Sequence, residues 1–239
     1  MRCNVATQWD RPELGQQGKT PDGEFRVYDV FVPEATDEPQ AYLVRSFSEH
    51  ATVGTHFHEH PQFQVFVEGS GTFQRHGVGP VDIHYTDAFA VYGPIIAGDE
   101  GLSFFVLRPH RGQGAHYMPG SREQLVRRGR RNLSARLDAD ALRADGSVTV
   151  FDDPDGLHVE ARLLGPGDVA SLAPVPPGSS GCYTLVLDGE CEVVGTEFRS
   201  AGTFSMIHRT PDDAPVSVAA GAAGATILSM QFPAEEDAA

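Results

Sequence analysis

The fold of this chain is indicated by one stretch, Gly54-Thr-His-Phe-His-Glu-His-Pro-Gln-Phe-Gln-Val-Phe-Val-Glu-Gly69. His56 and His58 are two residues apart, so on an extended strand both side chains leave the same face. His60 continues that face if the strand stays regular past it. Imidazole is a common ligand of zinc, iron, copper and nickel. The stretch therefore predicts one edge of a metal site built on a β-sheet.

Short runs typical of β-strands extend on both sides of this stretch. They are rich in β-branched and aromatic residues, and Gly, Pro and Asp fill the gaps between them. In the first half they cover residues 26–32, 41–47, 55–60, 62–67, 71–76, 81–85, 88–92 and 103–107. In the second half they cover residues 147–151, 158–164, 183–187, 190–194, 203–207, 216–219 and 226–232. Many short strands predict an all-β sandwich or barrel, and two halves of similar length predict a duplicated fold.

A helical bridge is predicted between the two halves. Ser121-Arg-Glu-Gln124 has the form of a capping box, and residues 138–144 are predicted as a second helix that Gly146 ends. The polar residues 1–25 predict an extended arm. The expected organisation is therefore an N-terminal arm at 1–25, a first barrel at 26–112, a helical linker at 113–146 and a second barrel at 147–239.

Charge and cysteine content exclude several classes of protein. The formal net charge is −15, which argues against binding to nucleic acid or to an anionic membrane. Cys3, Cys182 and Cys191 form no CxxC pair, so neither a disulfide framework nor a cysteine zinc cluster is expected. There is no apolar signal core and no run of 18 apolar residues. These features predict a cytoplasmic protein with no membrane segment, and the abundance of Ala, Gly, Arg and Asp indicates a bacterial source.

The first half resembles the cupin superfamily, small antiparallel β-barrels (double-stranded β-helices) with a metal site inside. The first cupin motif carries a His-x-His pair, a glutamate three or four residues later, and a glycine six residues after that. Here His56 and His58 match the pair, Gln62 stands at the glutamate position and Gly69 matches the glycine. The resemblance implies metal ligands at His56, His58 and Gln62, with His60 at the rim of the barrel.

The rest of the chain departs from the cupin pattern. The third histidine of the family is absent after Tyr85–Pro94, and its position falls on Ala97 or Asp99, depending on the alignment. In the second half, Cys182–Gly189 resembles the strand of the first motif, with Cys182 at the glutamate position. The resemblance implies an all-β bicupin, in which two cupin-type antiparallel β-barrels are joined by a short helical linker and the second barrel is degenerate.

Replacing the glutamate by Gln62 leaves only neutral protein ligands, so a bound cation would keep more of its charge and favour an anionic substrate. Candidates for a further ligand are His60, His84, Asp99 and His110. Glu59 and His60 are candidates for general acid–base catalysis by position. The predicted substrate pocket contains Gln64, Tyr92 and Asp99, and for Gln64 both substrate contact and simple core polarity remain open.

The first functional hypothesis is a metal-dependent bicupin enzyme that acts on a small organic molecule. Fe(II) or Zn(II) is the expected divalent ion, with Ni(II) and Mn(II) as alternatives. Fe(II) would suit a dioxygenase, whereas Zn(II) or Ni(II) would suit an isomerase, cyclase or hydrolase. The alternative is a non-catalytic cupin that binds or senses a small ligand. The expected partner is an anionic small molecule, and the expected oligomeric state is a monomer or homodimer.

Overall fold

The structure is a computed structural model that describes residues 1–4, 15–20, 23–126, 130–196 and 202–234. These residues divide into two compact units. The N-terminal unit contains the described residues from 15 to 136, and the C-terminal unit contains residues 1–4 and those from Leu137 onward. Within these ranges, no helix has the length and apolar character needed to cross a membrane.

Strands are numbered along the chain, and β1 (Arg2–Asn4) belongs to the C-terminal unit. The strands of the N-terminal unit are β2 (Gln16–Thr20), β3 (Gly23–Phe31), β4 (Gln40–Ser46), β5 (Thr52–Val53), β6 (His56–Phe57), β7 (Gln62–Phe73), β8 (His76–Val78), β9 (Asp82–Thr86), β10 (Ile95–Arg108), β11 (His116–Tyr117) and β12 (Asn132–Arg136).

An antiparallel sheet organises the N-terminal unit, with the strand order β12-β9-β7-β10-β4-β3-β2. The short strands β5 and β8 pair with β10 and β7, while β6 pairs with β11. In the register of β7 with β10, Phe63 lies opposite Leu107 and Gln64 lies opposite Val106. This register brings the start of β7 and the end of β10 to the same place in the sheet, and that place is where the site forms.

The start of β7 is buried on both faces, and the two faces have different partners. Phe63 packs against Tyr85, with the ring centroids 5.0 Å apart, on the core side. Gln62 and Gln64 alternate with Phe63 and therefore face the other way. The period-two pattern thus puts two amides on the side that is turned towards the histidines.

The same glycine bulge occurs in both units, as expected for a duplicated fold. Gly69 has a φ of +72°, and a Cβ on it would lie 2.2 Å from the carbonyl oxygen of Gly101. In the C-terminal unit Gly189 has a φ of +77°, and its Cβ would lie 2.2 Å from the carbonyl oxygen of Gly224. Only glycine fits such a close approach with a left-handed backbone, so the two halves share this local geometry.

The C-terminal unit contains α1 (Ala139–Asp145), β13 (Ser147–Asp152), β14 (His158–Leu164), β15 (Val169–Ser171), β16 (Cys182–Val193), β17 (Met206–Arg209) and β18 (Ser217–Gln231). Its antiparallel sheet has the order β1-β17-β16-β18-β14-β13, and β15 pairs with β18. The prediction of an all-β, duplicated chain is confirmed by these two sheets.

The helix predicted at 138–144 is confirmed by α1. The side chain of Asp138 accepts hydrogen bonds from the backbone N–H groups of Asp140 and Ala141, which caps the first turn. Gly146 ends the helix in the left-handed conformation, with a φ of 76°. The capping residue Asp138 and the terminating Gly146 were therefore sufficient to predict this helix from the sequence.

Three local predictions differ from the structure. The capping box at Ser121 makes no side-chain cap, and the helix is only a 3-10 turn at Arg122–Gln124, since Leu125 is already extended. Residues 88–92 form a turn rather than a strand, because Phe89 has a positive φ of 60°. Parts of the expected arm and linker are strands: β2 pairs with β3, and β12 pairs with β9.

Candidate functional site

A cavity of about 310 Å³ opens into the N-terminal unit beside the His56–His58 pair. Its apolar lining residues are Phe25, Val27, Val44, Val53, Ile95, Phe104 and Val106. Its polar lining residues are Asp29, Gln40, Tyr42, His56, His58, Gln64, Tyr92, Arg108 and Tyr117. A cavity of this size lies at the lower end of the range for small-molecule sites.

The two histidines are held in one tautomer by backbone carbonyls. Nδ1 of His56 lies 2.6 Å from the carbonyl oxygen of Gly54, and Nδ1 of His58 lies 2.6 Å from that of Gly114. A carbonyl oxygen only accepts, so each Nδ1 carries the hydrogen and donates it. Each Nε2 is therefore left with a lone pair, which is the arrangement found in metal-ligating histidines.

Burial keeps both imidazoles neutral. Burial, together with the positive charge of Arg108, lowers the pKa of His56 to about 4 and that of His58 to about 2. Since both histidines are uncharged near neutral pH, they can act as hydrogen-bond acceptors or as ligands through Nε2, but they add no charge to the cavity.

Arg108, at the end of β10, connects two of the three predicted ligands. Its Nε–H donates to Oε1 of Gln62 at 3.0 Å, and its Nη2 lies over the ring of His58, 3.1 Å from Nε2 and 3.3 Å from Nδ1. Nη1 donates to Oε1 of Gln40 at 3.0 Å, and Nη2 also donates to the hydroxyl of Tyr42 at 3.1 Å. These four partners are neutral groups, and together they hold the guanidinium in a fixed orientation.

Gln62 is completely buried and lies behind the cavity rather than on its wall. Its Nε2 donates to the hydroxyl of Tyr92 at 2.5 Å while its Oε1 accepts from Arg108. The ring of Tyr92 packs on His56, with the centroids 4.4 Å apart, and burial raises the pKa of Tyr92. The amide of Gln62 thus orients Arg108 and Tyr92 at the same time.

Gln64 reaches the cavity wall with one atom that has no hydrogen-bond partner. Its side chain is 2% exposed, and its Oε1 makes no hydrogen bond within the described residues. A buried acceptor without a donor costs free energy, and native structures usually supply such a donor. Gln64 therefore presents a hydrogen-bond acceptor to whatever fills the cavity.

The other predicted site residues lie apart from this cluster. Oε1 of Glu59 lies 3.5 Å from Nε2 of His116, and His60 lies against His110 with the ring centroids 5.6 Å apart. Asp99 is exposed and lies 3.8 Å from His50 in an ion pair. None of these three residues predicted for catalysis or substrate contact (Glu59, His60, Asp99) is among the described residues that line the cavity.

The remaining candidates for a further ligand are also placed elsewhere. His84 is buried, with Nδ1 2.8 Å from the hydroxyl of Ser134 and Nε2 3.1 Å from that of Thr86. Nδ1 of His110 lies 3.3 Å from the carbonyl oxygen of Asp37. Neither imidazole lines the cavity. The structure thus brings together His56, His58, Gln62, Gln64 and Tyr92, and it adds Arg108.

Arg108 is the charged cavity residue that the sequence interpretation missed. It ends the apolar run of β10 and is only 3% exposed. A buried charge needs polar partners, so an arginine that directly follows a buried strand is the signal that could have identified it. Its partner Gln62 is 46 positions away, and only the register of β7 with β10 shows that the two meet.

The C-terminal unit has a related but different arrangement. Cys182, at the position of the motif glutamate, accepts a hydrogen bond from Nη2 of Arg209 at 3.6 Å. Burial raises the pKa of the Cys182 thiol. The histidine positions of the motif fall on Pro176 and Gly178. An arginine therefore lies against the motif residue in both units, and the C-terminal unit has no histidine pair at those positions.

Comparisons with known proteins support the fold. No protein-family model matches the sequence, and no curated protein matches it. Bacterial pirin YhhW from Escherichia coli, in complex with nickel(II), matches with a TM-score of 0.60 and 12% identity over 98% of this chain and 99% of the pirin chain. Oxalate decarboxylase from Bacillus subtilis, studied for its Mn(II) centres, has a TM-score of 0.60 and 12% identity over 94% of this chain and 76% of its own.

A third match, from Nostoc punctiforme and proposed to be a dioxygenase, has a TM-score of 0.59 and 9% identity over 94% of this chain and 81% of its own. Sequence identities this low support a shared fold and nothing beyond it. The chain has the fold of these proteins, which agrees with the predicted cupin-type fold of two antiparallel β-barrels. We refer to the two units as the N-terminal barrel and the C-terminal barrel from here on.

The residues around His56 and His58 do not fit a divalent ion in their present arrangement. The amide oxygen of Gln62 accepts a hydrogen bond from the guanidinium of Arg108, and the same guanidinium lies 3.1 Å from Nε2 of His58, where its positive charge would repel a divalent ion. Among the described residues, no group of three or more His, Cys, Asp or Glu side chains could hold a metal ion. The metal site at His56, His58 and Gln62 therefore stays a prediction.

Proposed function

We propose that the N-terminal barrel binds a small organic anion, with its negative group on Arg108, and that the chain acts as a small-ligand-binding cupin. The observation that supports this most is that the guanidinium of Arg108 lines a cavity that also has apolar side chains in its lining, among them Val44 and Phe104. This is the second of the two functions expected from the sequence, now with a specific ligand charge.

The charge of the cavity favours an anion. Arginine stays protonated at all accessible pH values, and the positive charge of Arg108 contributes to the lowered pKa values of His56 and His58. Asp29 also lines the cavity, but it accepts a hydrogen bond from Gln16 at 3.1 Å, and burial raises its pKa. A carboxylate on the guanidinium would gain charge-assisted hydrogen bonds in a partly desolvated place.

The shape and the lining of the cavity restrict the rest of the ligand. The apolar lining residues, with Phe104 and Val106 in the core cluster of this barrel, suit a hydrocarbon or aromatic body. The unpartnered Oε1 of Gln64 suits a hydroxyl or N–H donor on the same ligand. The expected ligand class is therefore a small organic acid with an apolar body and one hydrogen-bond donor.

The proposal is tested by comparing acids with their neutral amides. Full-length protein is titrated calorimetrically with benzoate against benzamide and with 3-phenylpropionate against 3-phenylpropanamide. We expect at least one acid to bind at least about tenfold more tightly than its amide, and Arg108→Ala to remove that difference. Arg45→Ala is the matched control, because Arg45 pairs with Glu68 and lies outside the cavity lining. Equal binding of acids and amides, or no binding of any acid, would contradict the proposal.

The metal-dependent enzyme expected from the sequence is the second candidate. One observation favours it, namely the two neutral imidazoles with Nδ1 fixed by carbonyls and ring centroids 4.9 Å apart. An Fe(II) dioxygenase and a Zn(II) or Ni(II) isomerase, cyclase or hydrolase both require that the guanidinium of Arg108 moves away from His58. A stoichiometric ion in the wild-type protein that is lost in His56→Ala/His58→Ala would favour this candidate. The cytoplasmic location and the monomeric or dimeric state also stay predictions.

A further inference from the structure

We infer that the guanidinium of Arg108 keeps divalent ions out of the N-terminal barrel, so that removal of Arg108 opens a metal site. This goes beyond the proposed function, because it concerns the barrel before a ligand enters it. The observation behind it is that this guanidinium lies 3.0 Å from Oε1 of Gln62 and 3.1 Å from Nε2 of His58, two of the three atoms that the His-x-His motif would direct at a metal.

The guanidinium of Arg108 lies against two of the predicted ligands. Its Nη2 lies 3.1 Å from Nε2 and 3.3 Å from Nδ1 of His58, which places it over the face of the imidazole ring, and its Nε–H donates to Oε1 of Gln62 at 3.0 Å. A divalent ion on Nε2 of His58 and Oε1 of Gln62 would therefore lie beside the guanidinium, and the Gln62 oxygen already accepts from a cationic donor. The Nδ1 atom of His58 is committed to Gly114, so Nε2 is the only ring nitrogen that could turn to a metal.

The predicted ligands carry no negative charge that could offset a second cation. Cupin sites of the usual kind place a carboxylate beside the ion, but the donors here are two neutral imidazoles and an amide. A divalent ion on these atoms would lie within a few ångströms of a guanidinium without any ligand charge to offset the repulsion. These neutral groups can accommodate one positive charge, and the guanidinium of Arg108 already supplies it.

The barrel holds the guanidinium of Arg108 through further contacts. Gln40 and Tyr42 accept from its Nη1 and Nη2, and the Tyr42 ring lies 5.5 Å from its central carbon. A Cβ on Gly112 would lie 2.5 Å from Nη1, and the backbone N–H of Gly112 donates to the same Gln40 oxygen at 3.1 Å. The loop after β10 is therefore shaped around the guanidinium, which makes the arginine a built part of the site.

The test measures binding of Ni(II) and Zn(II) to the full-length protein by calorimetry against a competing chelator. We expect the wild-type protein to show no ion held by His58. Arg108→Ala should bind one of the two ions at least about tenfold more tightly than the wild type. Adding His58→Ala to Arg108→Ala should remove the gain, which assigns it to this site and not to surface histidines. Arg45→Ala should leave the affinity for both ions unchanged.

Arg108→Met serves as a second variant if Arg108→Ala does not fold, because its stem fills similar space without the charge. The inference is overturned if the folded variants gain no affinity for either ion. It is also overturned by the wild-type protein alone, if that protein holds a stoichiometric ion which His58→Ala removes. Metal binding is measured without any organic ligand, so a failure here is distinguishable from a failure of the anion proposal.

Discussion

The Nε–H of Arg108 donates to the amide oxygen of Gln62 at 3.0 Å, deep in the N-terminal barrel. Because residue 62 is a glutamine, this contact orients the guanidinium without neutralising its charge. A carboxylate at the same position would form a buried ion pair with Arg108. The neutral residue at the motif position is thus what leaves the positive charge of Arg108 available to a ligand in the cavity.

Gln62→Glu should weaken the binding of carboxylate ligands by at least about tenfold, because the new carboxylate competes for the guanidinium. Binding of the neutral amides should change much less. The measurement is calorimetric titration of wild type and variant with benzoate and benzamide. Gln124→Glu, an exposed substitution with the same change in charge, is the control. An unchanged affinity for the acids in Gln62→Glu would contradict the role assigned to Arg108.

Arg108→Ala should lower the free energy of unfolding by about 1–3 kcal/mol, since the buried amide oxygen of Gln62 loses its donor. Arg45→Ala should cost less than about 1 kcal/mol, because its ion pair with Glu68 is partly exposed. Urea unfolding followed by circular dichroism measures both values. If the two variants lost equal stability, Arg108 would be no more integrated into the barrel than a surface arginine.

Gly69→Ala and Gly189→Ala should each lower the free energy of unfolding by more than about 1 kcal/mol. Both glycines have a positive φ, and in each case a Cβ would meet a carbonyl oxygen at 2.2 Å. Gly77→Ala is the matched control, because a Cβ there meets nothing within 4 Å. Similar losses at Gly69 and Gly189 would support the shared bulge of the two barrels. A loss at one of them no larger than at Gly77 would contradict it.

Stability should fall as the pH drops below about 6.5, the ordinary pKa of an unfolded histidine. Burial lowers the pKa of His84 to about 4 and that of His208 to about 3. The unfolded chain therefore binds protons that the folded chain does not, and the stability present above pH 6.5 is lost progressively as the pH approaches 4. Thermal unfolding at pH 7.5 and pH 5 measures the difference.

His84→Asn should lose less stability between pH 7.5 and pH 5 than the wild type, by at most about 1.4 kcal/mol per pH unit. His76→Asn should show the wild-type pH dependence, because His76 is exposed on β8. A His84→Asn variant with an unchanged pH dependence would show that this histidine does not carry the effect.

Much of the fold could be predicted because alternation and turn residues are local signals. The strands, the helix after Asp138 and the repeated glycines at 69 and 189 follow from patterns within a few residues. The turn at 88–92 could not be predicted in this way. It has an apolar, aromatic sequence like a strand, but Phe89 adopts a positive φ and thereby brings Tyr92 against His56.

The site was only partly predictable, for a related reason. The spacing of His56 and His58 is local, and both side chains do reach the cavity even though β6 ends at Phe57. The position of Arg108 depends on strand pairing between β7 and β10, which no short pattern encodes. Asp99 was placed in the pocket by counting along a motif, but the register shift of β10 between Ala97 and Leu102 leaves it exposed near His50.

The most direct test of the central claim is whether anion binding needs a metal ion. Full-length protein is titrated with benzoate and 3-phenylpropionate before and after exhaustive treatment with a chelator. If the guanidinium of Arg108 is the cation of this barrel, the acids bind with the same affinity in both preparations, and Arg108→Ala abolishes binding in both. Binding that disappears with the chelator and returns when a divalent ion is added would contradict the account.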